Sequence, residues 1–114
     1  MPPQAVFDAE PARGWCYFYE KAALARQRGD WKTAASLGDQ ALSQKLAPFD
    51  LIEWMPFLQA YAALGNTHGL AGIGEQLAAD PFVEAQACTI LGKMSVLSAA
   101  VQEQMQTLFC PAQP

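Results

Sequence analysis

The chain has 114 residues, 52% of them hydrophobic and 16% charged, a balance that excludes a disordered segment and suits one domain with a real core. Its formal charge of −4 is unevenly spread, with six bases and five acids in residues 1–45 but Lys93 alone against six acids in residues 46–114. No basic stripe results, so nucleic acid is not an expected partner.

Alanine occurs 21 times while valine, isoleucine and threonine together occur 11 times, which argues an all-α fold. No apolar run reaches the length of a membrane span, so no direct membrane insertion is expected. The start, MPPQAVFDAEPARG, lacks the apolar core of a secretion signal. Cys16, Cys88 and Cys110 are odd in number, far apart and free of a CxxC pair, and they read as reduced, buried thiols of a cytoplasmic protein.

Residues 1–13, broken by Pro2, Pro3 and Pro11, read as a Pro-rich tail or linker, residues 14–110 as one helical domain, and residues 111–114 as a C-terminal tail. A first helix is expected from Gly14 or Trp15 to Arg28, with Trp15, Phe18, Ala22 and Ala25 on its core face. Gly29 ends it with a left-handed cap. Asp30 caps the next helix, from Trp31 to about Gln44, whose apolar side is Ala34, Leu37, Ala41 and Leu42.

In PFDLIEWMPFL, Asp50 is placed to cap, Glu53 to reach back to it, and Phe49 and Trp54 to form a hydrophobic staple. Pro56 removes a hydrogen bond one turn later, so a kink or a loose first turn is expected before the helix continues to Leu64. Asn66 caps a fourth helix, Thr67 to Ala79. Gly69, Gly72 and Gly74 weaken that helix by roughly 1 kcal/mol each against alanine, a loss that close packing must offset. Asp80-Pro81 restarts the chain as a fifth helix ended by Gly92. Ser95 or Ser98 caps a sixth, in which Leu97, Val101, Met105 and Leu108 form a stripe opposite Gln102, Glu103 and Gln106.

The two glycine turns lie 65 − 29 = 36 residues apart, close to the helix–turn–helix period of about 34 residues. On these residues the chain resembles the tetratricopeptide repeat (TPR) family. One unit supplies Phe18, Ala22, Gly29-Asp30-Trp31, Ala34, Ala41 and Pro48. The next supplies Trp54, Phe57, Tyr61, Gly65-Asn66 and Pro81. Lys21, Ala25, Gly38, Leu58, Leu70 and Gly74 depart from the motif, and the resemblance covers roughly residues 15–81. It implies a TPR-like solenoid of about three antiparallel helix pairs, with Gly29, Asp30, Trp31, Gly65 and Asn66 as structural turns. A narrower similarity, in EPARGWCYFYEKAALARQRGDW and EWMPFLQAYAALGN, is to the soluble terminal segment of some large bacterial membrane proteins related to glycosyltransferases. That similarity implies a tether to a membrane protein.

The repeat resemblance also implies a concave surface lined by Cys16, Tyr19, Ala23 and Arg26 of the first helix and by Ile52, Met55, Gln59 and Ala62 or Ala63 of the third. This is the candidate binding face, mostly apolar with one fixed positive charge. His68 is the lone histidine, so no multi-histidine metal site is expected. A Cys16–His68 nucleophile pair has no further support, GLAGIG lacks the context of a phosphate loop, and Asp39, Glu75 and Glu84 read as solvated helix faces. The expected function is non-catalytic: an interaction module for a protein or peptide, with no cofactor and no metal. The alternatives are a structural or homodimerising domain of a membrane-associated enzyme, and a binder of a small apolar ligand.

Overall fold

A computed structural model describes residues 14–95 and 97–110. The expected tails, residues 1–13 and 111–114, lie outside the described residues. Six α-helices and one 3-10 turn make up the architecture, with no strand among the described residues. The helices are α1 (Trp15–Gln27), α2 (Trp31–Ser43), α3 (Met55–Leu64), α4 (Thr67–Leu77), α5 (Pro81–Gly92) and α6 (Ala99–Leu108). The 3-10 turn, Leu51–Trp54, precedes α3. Each helix packs on the next in sequence, and α1 on α3, α2 on α4, α3 on α5 and α4 on α6 as well.

Local chemistry sets the helix ends. Gly29 and Gly65 have φ of 68° and 72°, the left-handed conformation that glycine adopts without steric cost. In each turn the next amide folds back: Asp30 N–H donates to Ala25 O and Asn66 N–H to Tyr61 O, both at 2.8 Å. Asp30 then accepts from Thr33 N–H at 3.2 Å and Asn66 from Gly69 N–H at 2.9 Å. These bonds satisfy amides that a helix start leaves without an intrahelical partner. Asp80 caps α5, accepting from Phe82 and Val83, and Ser98 caps α6, accepting from Val101. The end of α2 uses the same left-handed closure without glycine, with Lys45 at φ 59° and Leu46 N–H donating to Ala41 O at 3.0 Å.

Pro56 is accommodated by restarting the helix. The chain turns once as a 3-10 helix capped by Asp50, then begins α3 with Pro56 in its first turn, where the missing N–H has no intrahelical acceptor to lose. The expected staple is absent, because Phe49 is fully exposed at 108% of its reference area. Nor does Glu53 return to the Asp50 amide; it accepts a hydrogen bond from Trp15 instead.

Helix α3 is the centre of the molecule. Met55, Pro56, Phe57, Leu58, Ala60, Tyr61 and Ala62 are all buried, because α1, α2, α4 and α5 pack around it. Tyr61 occupies a slot made by two glycines. A Cβ on Gly69 would stand 2.4 Å from the Tyr61 ring, and one on Gly38 would stand 2.7 Å from its hydroxyl and 3.1 Å from Phe57. The close packing expected in the glycine-rich α4 is present at Gly69, against the Tyr61 ring, and at Gly74, against Leu108, while Gly72 makes only ordinary contact; Gly38 adds a further close approach from α2. The Tyr61 hydroxyl, itself buried, donates to Oδ1 of the exposed Asp39 at 2.7 Å. Burial, and after it the Asp39 carboxylate, hold this phenol well above its usual pKa.

The cysteines correct the sequence reading. Cys88 in α5 and Cys110, just past α6, form a disulfide with Cα atoms 5.0 Å apart, and Cys16 is an exposed free thiol. Reduced, buried thiols are therefore not what the structure contains, because α6 folds back along α5 and brings distant positions together. Disulfides persist in oxidising compartments, so the cysteine argument for a cytoplasmic location no longer stands. Among the described residues no helix is long and apolar enough to cross a membrane.

Candidate partner-binding face

Arg26 and Gln59, one residue from each of the two expected stripes, are in contact. Arg26 Nη1 donates to Gln59 Oε1 at 3.0 Å, joining the end of α1 to the middle of α3. At the opposite end of α1, Trp15 Nε1 donates to Glu53 Oε1 at 2.7 Å. Between these polar links lies an aromatic group: Trp15 sits edge-on to Trp54 at 4.6 Å, tilted on Phe57 at 5.4 Å, and stacked with Tyr19 at 6.4 Å between ring centroids. Such pairs add about 0.5–1.5 kcal/mol beyond area burial; Trp15–Phe57 joins α1 to α3, and Trp15–Trp54 joins α1 to the 3-10 turn before it.

Within this face Cys16 is exposed, while Tyr19, Ala23, Arg26, Ile52 and Gln59 are half-buried. Met55 is not part of the surface: at 3% exposure it belongs to the core. The reason is the central position of α3, whose outward side α1 covers. Trp15, expected in the core, is half-buried and bridges core and surface. Trp54 is fully buried, and its indole N–H has no hydrogen-bond partner among the described residues, a situation that costs roughly 1–3 kcal/mol.

A surface pattern that composition did not reveal lies between α2 and α4. Asp39, Leu42, Asn66, His68, Gly69, Gly72, Glu75 and Gln76 line an open depression of about 540 Å³. His68, Gly72, Glu75 and Gln76 have the i, i+4, i+7, i+8 spacing of one helix face, the only signal available in advance. Among the described residues no three or more His, Cys, Asp or Glu side chains are grouped to hold a metal. On the other side of α2, Tyr17, Lys21, Leu24, Arg28, Asp30 and Thr33 line a smaller hollow of about 300 Å³, with the Lys21 ammonium 5.8 Å from the Tyr17 ring centroid.

Helix α5 carries a third feature. Phe82 is 72% exposed and, with Ala85, Gln86, Thr89 and Ile90, edges a shallow hollow of about 280 Å³. No family model matches the chain, and comparison with curated proteins and with solved structures found no match either.

Proposed function

We propose that the chain is a TPR-like, non-catalytic interaction module that grips a peptide segment of a partner protein along the α1–α3 face. In this reading α1 with α2, α3 with α4, and α5 with α6 are three antiparallel helix pairs stacked as a short solenoid. The matched left-handed turns at Gly29-Asp30 and Gly65-Asn66, and the packing of each helix on its next and next-but-one neighbours, support it. The observation that carries it is the Arg26–Gln59 hydrogen bond, which aligns the first helices of two successive hairpins. The surface so formed is half-apolar with one fixed cation, a character suited to a peptide carrying an apolar anchor and a carboxylate.

Selection of peptides from a displayed random library, followed by calorimetry on the winners, tests the reading. Tyr19→Ala and Arg26→Ala are each expected to weaken binding by roughly tenfold or more, with the Arg26 effect shrinking as salt rises. Peptides that bind both variants as tightly as the parent chain would place recognition elsewhere. The exposed Phe82 on α5 favours a second reading, homodimerisation through that helix. Sedimentation of the parent chain against Phe82→Glu distinguishes the two, since only the dimer reading expects a lighter species in the variant.

A further inference from the structure

Helix α6 is attached at both ends. Its N-terminal side continues from α5 through residues 93–98, and its far end is bonded through Cys110 to Cys88, 22 residues away in sequence. Between these points the seat is apolar and thin. Val101, Met105 and Phe109 are buried, and Leu108 lies over α4 where Gly74 leaves space, so that a Cβ there would stand 3.3 Å from the leucine methyls. Polar anchoring to α4 is slight: Gln104 Nε2 donates to Thr67 O at 2.8 Å, while Gln104 Oε1 is buried with no partner. Between α5 and α6, Leu91, Met94, Leu97 and Met105 border an open pocket of about 240 Å³.

A helix of 10 residues is too short to persist in water without its seat. The Cys88–Cys110 bond adds a covalent restraint to that seat. Both residues are half-buried rather than enclosed, which leaves the sulfurs within reach of a small thiol.

We propose that Cys88–Cys110 is a redox latch on α6. With the bond closed, α6 covers the apolar groove of α4 and α5 around Gly74 and Leu91. With the bond open, α6 leaves as a unit while α1 to α4 remain folded, and the groove is uncovered. Opening is thiol–disulfide exchange: a thiolate of a small dithiol attacks one protein sulfur and displaces the other as thiolate. The second thiol of the reagent, as its thiolate, then resolves the mixed disulfide. The dithiol loses two electrons and two protons and becomes its own disulfide, and Cys88 and Cys110 gain them as two thiols. Closing is the reverse, driven by an oxidant of the disulfide class. The latch is independent of the proposed α1–α3 binding face.

The test is hydrogen exchange read by mass spectrometry on the full chain, with and without dithiothreitol, alongside alkylation to count free thiols. One thiol, Cys16, is expected to alkylate before reduction and all three cysteines afterwards. On reduction, amides of α6 are expected to exchange about tenfold faster or more while those of α2 and α3 keep their protection. The Cys88→Ser/Cys110→Ser chain should show the fast α6 pattern in both conditions. Should that chain fail to fold, the reduced parent chain supplies the same reading. Gly74→Leu, which blocks the seat of Leu108, should slow reformation of the bond once the reductant is removed. Unchanged α6 protection on reduction would overturn the latch. So would loss of protection everywhere at once, which would make the bond a staple of the whole domain, or alkylation of all three cysteines before reduction.

Discussion

The region from α1 to α4 and the region formed by α5 and α6 hold their helices by different means. In the first, large rings fit slots left by glycine: Tyr61 between Gly38 and Gly69, with Trp15, Trp54 and Phe57 in mutual contact. In the second, Leu108 rests over Gly74 and a disulfide ties the ends. An interdigitated core resists any change of shape, since its atoms have nowhere to move. Helix α6 combines an apolar seat of Val101, Met105 and Phe109 with a covalent tie. Helices of similar length within one small chain thus differ in whether packing alone, or packing with a covalent bond, restrains them.

The sharpest way to break this contrast is at Tyr61. Tyr61→Ala empties the slot and is expected to cost about 3–5 kcal/mol, as for other buried aromatics. Chemical denaturation measures it, and a loss below about 1 kcal/mol would mean that the slot collapses without cost. Tyr61→Phe keeps the ring and removes only the hydrogen bond to Asp39, so about 1–2 kcal/mol is expected.

Helix α4 allows the contrast to be drawn inside one element. Gly69→Ala sets a methyl 2.4 Å from a buried ring, and overpacking of about 1–3 kcal/mol should exceed the roughly 1 kcal/mol gained in helix propensity. Gly72→Ala meets only Leu42 at 3.5 Å, ordinary contact, and should stabilise by about 0.5–1 kcal/mol. Gly74→Ala meets Leu108 at 3.3 Å; Leu108 must give by a few tenths of an ångström, and the balance with propensity should leave it near neutral. Three thermal melts settle the order. If Gly69→Ala proves the most stable of the three, the Tyr61 slot is looser than described.

A smaller effect separates the helix ends. Lys45 closes α2 at φ 59°, where a side chain costs on the order of 1 kcal/mol. Lys45→Gly should therefore raise stability by about 0.5–1 kcal/mol, read as a higher midpoint of unfolding. Gly29→Ala, at the equivalent position after α1, should lower it by a similar amount.

The least effect lies in the first turn and depends on pH. The Thr33 hydroxyl, and after it the Thr33 amide, hold the Asp30 carboxyl below its usual 3.8. A carboxyl depressed in the folded chain adds stability that is complete above that value and is lost as pH falls through the lower native pKa. The difference between the parent chain and Asp30→Asn should therefore shrink on acidification below about pH 4. A difference that stays constant down to about pH 2 would assign it to shape and not to charge.

Much of this was legible in the order of residues because it is local. The caps at Asp30, Asp50, Asn66 and Asp80 and the left-handed Gly29 depend on partners within a few residues, and the structure has them; at Gly65 the sequence marks a turn and the structure adds the left-handed backbone. The meeting of Arg26 and Gln59 came from a family resemblance and not from periodicity. The other outcomes depended on partners far away in sequence. The spacing of Glu53 suits a capping residue, but Trp15, 38 positions earlier, holds its carboxylate. Phe49 has the spacing of half a staple, yet it is fully exposed.

By itself the sequence determined an all-helical chain and most of its helix caps, because these follow from backbone sterics and amides seeking acceptors nearby. Tertiary structure decided that α3 is central, so that Met55 is core and not surface. It also decided that Cys88 meets Cys110, since a bond between positions so distant exists only once the helices between them have packed and brought their ends together.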